Sequence, residues 1–206
     1  MRNIFLSLLA VLSLAACAEP KWAPDAAVQR AAFRSDDPPS ITLFTVVRPS
    51  NGRGGHSGLL INGTQRILFD PAGTFSHPQL PERNDVVYGM NDRMVDFYID
   101  YHAREDWDVI EQTVPVTREV ADMVARRAEG WGAVGKARCA HSISAMLNGV
   151  PGFEAVDGTW FPANLRQEFA EVPGVQERRI TDATARKDYG VELVQPGDPR
   201  AQFAAY

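Results

Sequence analysis

The chain has 206 residues, 45% of them hydrophobic and 23% charged, with a net charge of −5. This supports one domain with its own core and excludes an intrinsically disordered chain, which combines low hydrophobicity with high charge. No run of four or more Lys or Arg occurs, so nucleic acid, which demands a basic stripe, is not an expected partner.

At the N-terminus, Arg2 supplies a positive charge, residues 4–14 are apolar except for Ser7 and Ser13, and Ala15-Ala16-Cys17 follow. Residues 1–16 read as an export signal, since the apolar stretch falls short of the ~20 residues of a spanning helix. Leu14-Ala15-Ala16-Cys17 resembles a bacterial lipobox. That resemblance implies a mature chain starting at an acylated Cys17, anchored in a lipid bilayer by more than one acyl chain. Ala18 stands where Asp would be an inner-membrane signal in enterobacterial lipoproteins, so the expected location is the outer membrane, facing the periplasm. Residues 17–40 hold four prolines and read as the lipidated N-terminus and a tether, with room for one short helix at 25–33.

A domain is expected over residues 41–180. Residues 41–47 (ITLFTVV) are β-branched and aromatic, as in a buried strand. After a glycine-rich loop, residues 56–61 and 66–70 read as two strands joined at Asn62-Gly63-Thr64, a hairpin signal. Pro71-Ala72-Gly73 breaks the second strand. Residues 92–102 carry a helical face of Met94, Val95, Phe97, Tyr98 and Tyr101, and residues 107–116 read as another strand. Thr117 suits the N-cap of a helix reaching about Gly130. A second helix is expected from Cys139 to Asn148, and a third opens at Pro162, proline in the first turn being favourable. Residues 181–206 are polar and read as a peripheral tail. The chain is therefore α+β, a small antiparallel sheet packed against helices.

With Cys17 consumed by lipid, Cys139 is a lone thiol in an oxidising compartment. Such a thiol pairs with another chain, lies inert in a core, or does chemistry. Its expected place at a helix N-terminus favours chemistry, because the dipole and free N–H groups there stabilise a thiolate. A buried apolar role on the first turn is the alternative.

A cysteine nucleophile needs a base, and His56, His77, His102 and His141 are available. His141, two residues along the helix, points about 200° away from Cys139. His102 ends a helix expected to face solvent, and His77 lies in a proline-flanked loop. His56 opens a strand directly behind Gly54-Gly55. If the hairpin loop is odd-numbered, with Ile61 opposite Gln65, His56 faces Asp70 on the same side of the sheet. An even loop would separate them. Asp70 then orients the imidazole; alternatively it caps the Asp-Pro-Ala-Gly turn. The histidines show no metal-ligand spacing, so no metal and no cofactor are expected.

The run His56-Ser57-Gly58-Leu59-Leu60-Ile61, a hairpin to a polar residue, and much later Arg138-Cys139-Ala140-His141-Ser142-Ile143 resemble the circularly permuted branch of the papain-like superfamily. That branch includes lecithin–retinol acyltransferase-like proteins and relatives of NlpC-type cell-wall hydrolases. His56, Gly58, Leu59 and Leu60 match its H-x-G strand motif. Cys139 and His141 match the acyltransferase group's N-C-E-H-F motif, whereas Arg138, Ala140 and Ser142 depart from it. Phe161-Pro162-Ala163-Asn164-Leu165 resembles a proline-led segment found after the cysteine helix in bacterial members. The resemblance covers residues 41–170. It implies a permuted papain-like fold with Cys139 as nucleophile, His56 as base and Asp70 as the third polar group. A thiol hydrolase of peptidoglycan peptide amides or lipid esters follows as the expected function. A lipid acyltransferase, or a non-catalytic envelope module that binds cell-wall fragments or a protein partner, remains open.

Overall fold

The computed structural model describes residues 20–187; the expected export signal, Cys17 and most of the expected tail lie outside them. Among these residues, α1 is Asp25–Ala31, β1 Ser40–Val47, β2 Gly54–Asn62, β3 Arg66–Phe69, β4 Glu82–Arg83 and β5 Val86–Tyr88. They are followed by α2 Asp92–His102, β6 Asp108–Pro115, α3 Arg118–Glu129, α4 Cys139–Leu147, α5 Pro162–Ala170 and β7 Gln176–Ile180. The fold is α+β, with seven strands in the order β4-β5-β3-β2-β1-β6-β7 and every pairing antiparallel.

β1 is central and buried along nearly its whole length, which explains its continuous apolar run. On one face Ile41, Leu43, Leu59, Ile61, Ile67 and Phe69 meet the inner faces of α3, α4 and α5. On the other, Phe44, Leu60 and Leu68 meet Phe97 and Tyr98 of α2. Alternate residues of each strand thus feed two separate cores. Helix starts follow their caps: the Asn91 side chain accepts from Met94 N–H at 3.1 Å, and Thr117 Oγ1 accepts from Val120 N–H at 3.4 Å. α4 has no side-chain cap. Its C-terminus is held by Arg127, which donates to the carbonyls of Met146 and Asn148 at 2.8 Å each.

From Trp22 onward, the stretch expected as a tether lies on the domain. Ala23 is fully buried, Trp22 bridges to Arg83, and Arg66 Nη2 meets Asp37 at 2.8 Å. The strands β4, β5 and β7 have no counterpart in the sequence reading. No helix among the described residues is long and apolar enough to cross a membrane.

Candidate active site

The hairpin loop is odd-numbered, although its register differs by two from the expected one. Ile61 lies opposite Ile67 and Asn62 opposite Arg66, leaving Gly63-Thr64-Gln65 as the loop. A two-residue slip preserves the face of every side chain. Asp70, just past β3, therefore sits diagonally from His56 on the same side, and His56 Nε2 and Asp70 Oδ1 are 2.7 Å apart. The side chains are 15% and 3% exposed.

Strand β2 bulges immediately before the histidine. Val46 pairs with His56 but Val47 with Gly54, so Gly55 is the extra residue. Bulges bend a strand and re-aim the side chains beside them. The indole of Trp107 packs onto this glycine, 2.7 Å from where a Cβ would stand, so only glycine fits here.

Asp70 has a second donor. Tyr98, on α2, gives its hydroxyl proton to the same Oδ1 at 2.8 Å. The room for it comes from Gly58, where a Cβ would be 2.2 Å from the Tyr98 oxygen and 3.2 Å from Asp70 Oδ1. Burial opposes ionisation of Asp70, but His56 outweighs it, and the carboxyl is held below its ordinary range. Tyr98, buried and facing that carboxylate, is pushed well above the usual phenol range and stays a donor.

With Nε2 committed to Asp70, His56 also faces Cys139, and each shifts the other's titration. Burial lowers the pKa of His56, yet Asp70 and the cysteine raise it further, to about 10. Cys139 is the first residue of α4 and is buried. Burial raises its pKa, but the His56 bond and charge, with N–H groups of Ser57 and Ala140 directed at Sγ, bring it below the ordinary thiol value. The described residues thus form a chain Cys139–His56–Asp70–Tyr98 that favours a thiolate–imidazolium pair. The nucleophile enters from the α3–α4–α5 side of the sheet and the orienting groups from the α2 side.

Three residues of this neighbourhood were not legible in the sequence. His102 does not face solvent as expected. Its ring stacks on His56 at 5.5 Å between centroids and 12° between planes, and its Nδ1 lies 2.9 Å from the Tyr98 carbonyl. Burial pushes its pKa down to about 4, so it is a neutral cover over the imidazolium. A signal was present, since His102 follows Tyr98 by one helical turn. Tyr98 carries only the signal of an apolar helical face in the sequence. Asp85 is the third. Its carbonyl accepts from Asp70 N–H at 2.8 Å, its Oδ2 from Val134 N–H at 2.7 Å, and its carboxylate from Ala72 N–H. It therefore ties the turn after Asp70 to the loop leading to Cys139. Asp85 and Ala72, like Ala137 before the cysteine, have positive φ without being glycine (67°, 58° and 61°), a strain that concentrates at functional sites.

His141 stacks on Trp160, 4.2 Å between centroids. His77 contacts the ring of Phe97 and accepts from Gln79 N–H at 3.2 Å through Nδ1. Ligand atoms of His56, Asp70 and His102 lie within 4.8 Å of one another, a metal-like spacing. Within this cluster, Asp70 Oδ1 is shared by His56 and Tyr98. Comparison with family models, curated proteins and solved structures finds no match.

Proposed function

We propose that this chain is a lipid-anchored envelope cysteine hydrolase with a circularly permuted papain-like core. It cleaves an amide or ester through a thioester. The observation that carries the reading is the line Cys139–His56–Asp70, with His56 hydrogen-bonded to Asp70 and electrostatically coupled to the thiol, the thiol opening a helix and the histidine strand preceding it in the chain. Cys139 Sγ, as thiolate, attacks the carbonyl carbon, and the oxygen takes the negative charge. The uncapped start of α4 offers backbone N–H groups to that oxyanion. His56 then gives its Nδ1 proton to the leaving nitrogen or oxygen as the C–N or C–O bond breaks. Water, losing a proton to His56, attacks the thioester, and the acid leaves with the thiolate restored. Asp70 holds the imidazole in the required tautomer throughout, with its Nε2–H donated to the carboxylate.

An envelope location places peptidoglycan peptides and lipid esters within reach of such a centre. Iodoacetamide labelling of the folded chain as pH is lowered tests the proposal. Cys139 should keep reacting well below the pH at which an ordinary cysteine stops, and His56→Ala should abolish that advantage. Labelling only after unfolding would make Cys139 a core residue and remove the enzyme reading.

A further inference from the structure

Each half of the Cys139–His56 pair has an arginine lying on a tryptophan beside it. Arg138 directly precedes Cys139, is exposed, and has its guanidinium 5.4 Å from the centroid of the Trp160 ring. Trp160, half exposed, is braced by its stack on His141 in the first turn of α4. On the other side, Arg48 lies 4.9 Å from the centroid of Trp107, the ring that packs onto Gly55 next to His56. The two tryptophan platforms are thus fixed to the two strand and helix positions that carry the reactive groups.

Neither arginine forms an ion pair with a carboxylate among the described residues; Arg30, Arg34, Arg53, Arg93, Arg118, Arg126 and Arg127 share this, but of these arginines without an ion pair only Arg48 and Arg138 lie on an aromatic ring. The chain carries 26 acidic against 21 basic residues, so partners are not scarce. A guanidinium resting on an indole keeps its planar edge of N–H donors available, a geometry suited to two-pronged binding of an anion.

We infer that these arginines form an anion subsite at the mouth of the centre. They recognise an acyl substrate that carries a carboxylate or phosphate beside the bond attacked. This rests on the cysteine hydrolase reading above. A neutral acyl chain would leave both cations unused, while an anionic one is drawn in and registered against Sγ.

The test compares two alkylating probes on the full chain, neutral iodoacetamide and anionic iodoacetate, both reporting on Cys139. In low salt the ratio of iodoacetate to iodoacetamide rates should fall about tenfold in Arg138→Gln, and fall less in Arg48→Gln. It should also fall when salt is raised in the parent protein, a measurement that needs no variant. Protection of Cys139 from iodoacetamide by succinate or by inorganic phosphate then names the anion, the better protector giving the class. An unchanged ratio in both variants and in salt overturns the subsite while leaving the hydrolase reading in place. Equal slowing with both probes, or failure of both anions to protect, also overturns it. If neither probe labels Cys139 in the folded chain, the hydrolase reading falls and the subsite with it.

Discussion

Gly58→Ala should disturb the orienting side of the site without changing any atom of Cys139, His56 or Asp70. The new methyl carbon would stand 2.2 Å from the Tyr98 hydroxyl oxygen, 3.2 Å from its Cζ and 3.2 Å from Asp70 Oδ1. Ordinary contact lies near 3.5 Å, so the phenol end must retreat by roughly 1 Å. Tyr98 is fully buried and packed against Phe44 and Phe75, so the ring has nowhere free to go. Overpacking of this kind costs about 1–3 kcal/mol, and loss of the hydrogen bond to a charged acceptor adds about 1.5–3 kcal/mol. With a donor gone, Asp70 holds His56 less firmly, and the pH midpoint for labelling Cys139 should rise. Denaturant unfolding gives the stability loss, and iodoacetamide labelling across pH gives the midpoint. Tyr98→Phe removes the oxygen that clashes, so the double variant should lose less than the two single losses together, by about 1 kcal/mol or more. Stability within ~0.5 kcal/mol of the parent and an unmoved midpoint in Gly58→Ala would refute the argument.

Asp70→Asn should flatten two slopes in the pH dependence of stability. Asp70 is depressed in the folded state, so its contribution is present above its unfolded value near 3.8 and lost as pH falls through the folded one. His56 is raised to about 10, so its contribution is complete below 6.5 and lost as pH rises through about 10. Urea unfolding from pH 2 to 10 measures both slopes, and their persistence in Asp70→Asn would locate the effect elsewhere. Asp85→Ala should cost about 1–3 kcal/mol through the Val134 and Ala72 N–H groups it leaves unpaired, and it should slow Cys139 labelling more than the stability loss explains. Unaltered labelling in the folded variant would reduce Asp85 to a local turn residue. Cys17→Ser should move the protein out of the detergent-extracted membrane fraction or leave it unprocessed, and unchanged fractionation with unchanged mass would exclude acylation there.

The parts of the site that follow from parity and periodicity were readable in the sequence. The face shared by His56 and Asp70 needed only an odd loop, and the helix opening at Cys139 needed only its apolar spacing. The register itself was not readable. Thr64 N–H and Oγ1 bond the Asp122 carboxylate at 2.6 and 2.8 Å, and Gly63 N–H reaches Gln65 O at 3.2 Å. A residue 58 positions away therefore helps select which three residues turn. β7 was invisible because its alternation is not apolar. Four of its five residues are exposed, and Arg178 and Arg179 dock it on β6 through Glu111 and Asp108. The role of His102 was hidden because a helix end with charged neighbours reads as solvent-facing, while its cover is supplied by a histidine on a distant strand.

The division of the site between the two faces of one sheet has a consequence for the thiol during folding. Cys139 comes in with α4 from one layer, whereas Asp70 and Tyr98 act from the other, and they meet only through His56 at the end of β2. An unfolded chain carries an unperturbed thiol, slow toward electrophiles and oxidants at neutral pH. Docking of α4 on the sheet brings Sγ to His56 and Ser57 of β2, the groups that depress its pKa. Acidity of the thiol is thus a product of tertiary contact, acquired where α4 meets β2. The thiol is chemically quiet until helix and strand meet.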